Sequence, residues 1–165
     1  QSVLEIGTAK GGSFYIWSRY LDSADRLISL DLPGGRFGGG YNKQKTEIFR
    51  DFAPSKKMDF VRANSHQQDT YQKVSGLIDD SIDFLFIDGD HTYKSTLELF
   101  SIIDKRLDTT GVLLIDDINW SPEMLKAWKE IKKSKDFLIF DFFDFALMIK
   151  GESGYKRIRK TPLPH

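Results

Sequence analysis

Near-continuous apolar runs alternate along this chain with segments whose apolar positions recur every three or four residues. The runs are "SVLEIG", "RLISLD", "MDFVRAN", "IDFLFID" and "GVLLIDD". They are followed in turn by "SFYIWSRYL", "NKQKTEIFRDFA", "DTYQKVSGLI", "TYKSTLELFSIIDKRL" and "SPEMLKAWKEIKKS". Such runs read as parallel strands buried on both faces by crossover helices. Ser121-Pro122 supplies an N-cap and first-turn pair for the last helix. The rhythm breaks at "FLIFDFFDFALMIKG", which is too long and too β-prone for one strand and is interrupted by Asp141 and Asp144. It reads as two strands joined by a tight turn, and its aromatic residues as the core of that hairpin. The pattern predicts an α/β, Rossmann-like, doubly wound and mostly parallel sheet with a C-terminal antiparallel β-hairpin.

Length and charge narrow the partners. A chain of 165 residues suits one domain. Twenty-four basic and 24 acidic residues cancel, so no general footprint for nucleic acid is present. The basic stretch is "YKRIRK", Tyr155 to Lys160, inside a tail (152–165) set apart from a domain over 1–151. A solvated terminus is the plainer reading of it. With no cysteine, disulfides and thiolate metal sites are excluded, and a cytoplasmic location is the expectation. No apolar stretch approaches the ~20 residues of a membrane span, so no membrane partner is expected. The chain begins at Gln1 with strand-like residues from Val3, which suggests a core cut from a longer protein.

The turns carry the candidate chemistry. "LEIGTAKGGS" puts Gly7 at the end of the first strand and Gly11-Gly12 before a helix. Glycine lets a ligand approach the backbone, and a helix N-terminus offers free N–H groups to an anion. Asp31 ends the second strand about 20 residues further on, where an acid in such folds accepts hydrogen bonds from ribose hydroxyls. The spacing G-x-x-x-G-G suits a nucleoside with a smaller anionic group better than a dinucleotide pyrophosphate. The plain alternative is a tight turn with Asp31 capping a strand. "DLPGGRFGGGYNKQK" has five glycines in seven positions and reads either as a loop that closes over ligand or as a flexible insertion.

Two further strands end in carboxylates: Asp88 after one, Asp116-Asp117 after the next. Adjacent parallel strands lie ~4.8 Å apart, so these acids repel unless a cation joins them. A hard divalent ion such as Mg²⁺ fits oxygen ligands of this kind. The bland readings are that Asp90 or Asp117 caps the following turn or helix and that His91 faces solvent. His66 and Trp120 sit in loops at the same rim, where surface packing is the simpler account and a substrate pocket the alternative.

"LEIGTAKGGS", "LISLDLPGG", "RANSH", "IDFLFIDGDHTY" and "GVLLIDDI", in that order, resemble the motifs of class I S-adenosylmethionine-dependent methyltransferases. The nearer likeness is to the branch of cephalosporin-hydroxylase-like proteins and metal-dependent macrolide-sugar O-methyltransferases. It covers Val3 to about Lys150. The resemblance implies a seven-stranded sheet of order 3-2-1-4-5-7-6. It implies that Gly7, Gly11 and Ser13 approach the methionine part of S-adenosylmethionine, and that Glu5 orients the loop or the amino group. Asp31 would hold the ribose, and Asn64 and Ser65 would lie beside adenine. Asp88, Asp116 and Asp117 would ligate Mg²⁺, and His91 would be the general base toward a hydroxyl of a small molecule such as a sugar. The rival readings are a metal-independent methyltransferase and a truncated or non-catalytic S-adenosylmethionine-binding domain. A homo-oligomer through an exposed hairpin edge is a further expectation.

Overall fold

The structure is a computed structural model that describes residues 1–35, 39–103 and 105–151. The basic tail expected over 152–165 lies outside the described residues, as does part of the glycine-rich loop. Five strand–helix units follow one another: β1 (Ser2–Ile6) and α1 (Gly12–Tyr20), β2 (Arg26–Asp31) and α2 (Lys43–Arg50), β3 (Lys57–Arg62) and α3 (Gln68–Ser75), β4 (Ile82–Ile87) and α4 (Tyr93–Ile103), β5 (Leu107–Ile115) and α5 (Pro122–Ile131). The hairpin β6 (Phe137–Asp141) and β7 (Ala146–Lys150) closes the fold. The sheet order is β3-β2-β1-β4-β5-β7-β6. The first five strands pair in parallel, and β7 is antiparallel to both β5 and β6. Fold class, order and terminal hairpin are those expected.

The alternation of side chains along each strand sorts the core into two layers. Leu4, Ile28, Leu85 and Leu113 pack against Val74 of α3, Leu99 of α4 and Trp128 of α5. On the other side Val3, Leu27 and Met58 meet Phe14 of α1 and Phe49 of α2. Each such fully buried side chain contributes about 1.5–3 kcal/mol of transfer free energy. Burial on both faces holds for β1 and β2. It does not hold for β5 and β7, whose Val112, Leu114, Leu147 and Ile149 on the α1/α2 side are half-buried and belong to neither cluster.

Two local details depart from the sequence pattern. That pattern predicts a fourth helix running through "DKRL", yet Leu107 already pairs with Ile82, and the register shifts before Phe84. Asp108 explains this, because its carboxylate accepts the Thr110 amide and the Ser81 hydroxyl and so bends the chain into a strand with an irregular start. Second, the hairpin's aromatics are not all core. Phe137 is buried, but Phe142, Phe143 and Phe145 at the tip are exposed. The N-cap of α5 forms as its sequence suggests, with the Met124 amide donating to Ser121 Oγ at 3.1 Å.

Gly7 positions everything that follows. Its φ is +94°, and a Cβ there would lie 1.7 Å from the Asp88 carbonyl oxygen. The ends of β1 and β4 therefore meet through bare backbone. Gly7→Ala is expected to destabilise the protein by roughly 3 kcal/mol or more, through strain at positive φ and the forced separation of two strands. Gly12, at the start of α1, is the control, because a Cβ there would have nothing within 4 Å. Gly12→Ala should be neutral or stabilise by up to about 1 kcal/mol. Urea unfolding of the two variants checks both statements.

Candidate active site at the carboxyl rim of the sheet

The backbone ladder runs on past the strands and sets the rim. Gly7 N donates to Leu30 O (2.9 Å), Asp88 N to Ile6 O (2.8 Å), Asp116 N to Ile87 O (2.9 Å) and Ala63 N to Asp31 O (2.8 Å). The loops after β1 to β5 thus open side by side at one edge, where ligands bind in open parallel sheets.

The loop after β1 is held by buried polar groups. Thr8 Oγ1, Ser29 Oγ and Tyr41 OH form a chain with spacings of 2.6 and 2.7 Å. Burial pushes the Tyr41 hydroxyl up to about 12, so it stays a neutral member of that chain. Asp31 clasps the loop from the side. Its Oδ2 accepts the amides of Ala9 (2.6 Å) and Gly40 (3.1 Å), and its Oδ1 accepts that of Leu32 (2.7 Å). Ala9 is held at φ 47°, a left-handed conformation that costs a non-glycine residue on the order of 1 kcal/mol or more. Gly11 also has positive φ, and a Cβ would press on the Phe49 ring at 2.4 Å. It is the N-cap of α1 and supplies no side-chain cap, so the first amides of that helix face the loop.

Glu5 lies under this loop, fully buried. Trp17 Nε1 donates to its Oε1 at 3.2 Å, while Oε2 has no hydrogen-bond partner among the described residues. Burial raises its carboxyl to about 7, against the opposing pull of the nearby Ser13, Thr8 and Trp17 donors. A buried acid with one free oxygen near the uncapped first amides of α1 fits a ligand that carries both a cation and an anion, such as an amino acid moiety. Asn64 is exposed, and its Oδ1 accepts the His66 amide at 2.9 Å. Ser65 and His66 line the upper end of a cleft of about 610 Å³ between α3 and α4.

Asp88, His91 and Asp117 converge. His91 Nε2 is 3.5 Å from Asp88 Oδ1 and 3.3 Å from Asp117 Oδ2, and one ligand atom from each residue lies within 4.8 Å of the others. The neighbouring carboxylates, Asp88 first, raise the His91 pKa against the effect of burial. Asp117 is raised by burial and by the repulsion of Asp116, Asp88 and Asp144, with His91 opposing. Asp116 is not part of the convergence. Its Oδ1 accepts the amide of Asp117 at 2.9 Å, and Asp117 itself sits at φ 56°. That turn points the two neighbouring carboxylates to different tasks. Asp90 caps its own turn through the Thr92 amide and pairs with His66 at 3.1 Å.

Comparison with known proteins gives this geometry a context. Residues 4–118 match a family described as a methyltransferase domain. The chain belongs to that family. Its fold is that of class I S-adenosylmethionine-dependent methyltransferases. An uncharacterized mimiviral protein, R132 of Acanthamoeba polyphaga mimivirus, is 28% identical over 131 residues. That stretch is 78% of this chain, and the chain spans only 58% of the viral protein. Among solved structures, a Bacillus cereus O-methyltransferase in complex with SAH superposes with a TM-score of 0.68 at 18% identity, covering 92% of this chain and 74% of that one. The O-methyltransferase NovP gives 0.70 at 15%, covering 92% and 72%. The MycE methyltransferase of the mycinamycin pathway, in complex with Mg and SAH, gives 0.65 at 14%, covering 91% and 45%.

Sequence reasoning missed the hydroxyl chain Thr8–Ser29–Tyr41 and the Trp17–Glu5 contact. The signal for the first was present: Ser29 is a polar residue inside the otherwise apolar run "LISL". The folded state holds the Glu5 proton more tightly than the unfolded chain does. Stability of the ligand-free protein should therefore fall as pH rises from 4.5 through about 7 and then level off. Glu5→Gln is expected to remove that slope and, at pH 8, to stabilise by roughly 1–3 kcal/mol. Urea unfolding at pH 4.5 and pH 8 measures the difference, which should close at the lower value.

Proposed function

We propose that this chain transfers the methyl group of S-adenosylmethionine to a hydroxyl of a small molecule, with His91 as general base and a divalent cation, Mg²⁺, beside it. The observation that carries the reading is the adjacency enforced by Gly7: the loop over buried Glu5 and the Asp88–His91–Asp117 cluster sit on neighbouring strand ends. Family membership and fold support the same chemistry.

In this reading Glu5 Oε2 and the loop amides take the amino acid end of S-adenosylmethionine, with Ser13 beside them. Asp31 turns one carboxylate oxygen to the ribose, and Asn64 and Ser65 border the adenine. Asp88 and Asp117 hold the cation, with Asp116 fixing the turn that presents Asp117. A bound divalent ion supplies positive charge that lowers the pKa of a nearby hydroxyl. His91 Nε2 takes the hydroxyl proton, and the two carboxylates stabilise the resulting imidazolium. The oxygen lone pair bonds to the methyl carbon as the C–S bond breaks, leaving S-adenosylhomocysteine. The protein's main contribution is alignment.

A metal-free version has its own support, since an imidazolium between Asp88 and Asp117 satisfies the cluster without a cation. Chelation separates the two: activity that survives EDTA favours the metal-free version.

Calorimetric titration with S-adenosylmethionine, with and without Mg²⁺, tests the proposal. Asp31→Ala should weaken binding about 10- to 100-fold, the scale of a lost charged hydrogen bond. Any Mg²⁺ dependence of binding should disappear in the double variant Asp88→Asn/Asp117→Asn. Absence of S-adenosylmethionine binding in both conditions would sink the proposal for this chain.

A further inference from the structure

Because β6 runs parallel to β5, the β6–β7 turn emerges at the same rim as the Asp88–His91–Asp117 cluster. It is tied there by backbone. Ile118 N donates to Asp144 O at 2.8 Å, and Asn119 Nδ2 donates to Phe143 O. Phe142 N closes the turn onto Phe145 O at 2.9 Å, and the Phe142 and Phe145 rings stack with centroids 4.6 Å apart. Trp120 follows Asn119 in the same loop, and its ring lies 6.0 Å from that of His91.

Nine large apolar side chains are exposed among the described residues, and four of them are Trp120 (70%), Phe142 (46%), Phe143 (81%) and Phe145 (40%). Asp144 supplies the usual turn residue, and the turn itself does not call for three phenylalanines. These rings also fill no core, so their concentration at the mouth of a polar cluster points to a ligand. The charge around them is predominantly negative. Segments 88–92, 116–121 and 141–145 contain six aspartates and no Lys or Arg. Asp141 is paired with Lys132, and the remaining five aspartates disfavour an anionic group at this mouth.

We propose that Trp120, Phe142, Phe143 and Phe145 form the acceptor subsite, and that the acceptor is a hydroxyl compound with a flat apolar ring system and no negative charge. The inference rests on the methyltransferase reading for the purpose of the site, but its physical content is separable from it. Ring faces at the tip hold the acceptor's flat body by stacking, at centroid distances typical of offset or edge contacts. The hydroxyl then lies toward Trp120 and His91, and carboxylate- or phosphate-bearing relatives of the same acceptor are turned away.

Saturation-transfer NMR on the full chain tests this with three probes: tyramine, its anionic counterpart 4-hydroxyphenylacetate, and methyl β-glucoside. S-adenosylmethionine affinity is measured alongside by calorimetry. Tyramine ring protons should saturate most strongly. Affinity should fall roughly three- to tenfold in Phe143→Ala and in Trp120→Ala, the scale of a lost aromatic pair. Phe143→Ala should leave S-adenosylmethionine affinity unchanged, since that side chain is solvent-facing and its loss does not threaten folding. Equal binding of 4-hydroxyphenylacetate, stronger binding of the glucoside, or tyramine binding indifferent to both variants would overturn the inference. So would a dimer that Phe143→Ala converts to monomer with tyramine binding unchanged, which would assign the tip to a contact between copies. Tyramine binding lost in both variants, in a protein that does not bind S-adenosylmethionine, would uphold the subsite while removing the methyltransferase reading.

Discussion

Contact between the ends of β1 and β4 is the constraint on which the rest depends. A side chain at position 7 would occupy the space of the Asp88 carbonyl, so only glycine lets the two strand ends close. Once they close, Asp88 N completes a hydrogen bond to Ile6 O, and Asp116 N repeats the step onto Ile87 O. The acidic loops after β4 and β5 are thereby brought against the loop over Glu5 with no side chain between them. Every distance in the candidate site inherits this packing of backbone on backbone.

Above that contact the protein accepts several local costs. Ala9 and Asp117 adopt left-handed backbone, and Glu5 is buried with one oxygen free. Such departures persist only where the surroundings over-determine them. Here the surroundings are identifiable: Asp31 holds Ala9 by its amide, Asp116 holds Asp117 by its amide, and the Thr8–Ser29–Tyr41 chain anchors the loop between them. Two aspartates that the sequence offers as direct ligand groups thus have a structural task in the ligand-free protein. For Asp31 the two tasks are compatible, because among the described residues Oδ1 accepts only the Leu32 amide and keeps a second lone pair.

The fold was legible because its signals are redundant. Each parallel strand carries its own apolar run, each crossover its own helical period, and the hairpin its own interruption at Asp141 and Asp144. What stayed hidden depends on which way a side chain turns. "DD" after β5 looks like two equivalent carboxylates, and only the positive φ of Asp117 separates them. The aromatic run of the hairpin looks like core, since periodicity does not say where a turn will lift its rings out of the sheet. The end of α4 is hidden for a related reason: Asp108 acts through a hydrogen bond to a residue two places on, which hydrophobic pattern does not encode. The glycine spacing and Asp31 lie at the same rim as the Asp88–His91–Asp117 cluster, because strand ends in a parallel sheet share one edge whatever their side chains do.

Under the proposed chemistry the excess of acid at this rim needs a counterweight. Sulfonium carries a full positive charge before methyl transfer and loses it during transfer. A purely negative environment therefore stabilises the reactant more than the transition state, which slows the step. Asp88 and Asp117 together carry two negative charges when ionised, and a protonated His91 between them cancels one. A divalent cation held by Asp88 and Asp117 would cancel both, and His91 would then be free to accept the hydroxyl proton. Under the metal-assisted version, charge added from outside the chain makes the acid cluster and the sulfonium compatible; under the metal-free version the His91 imidazolium supplies part of that charge from within. The same balance bears on the proposed acceptor: where a cation compensates Asp88 and Asp117, an anionic acceptor would compete with those carboxylates for it.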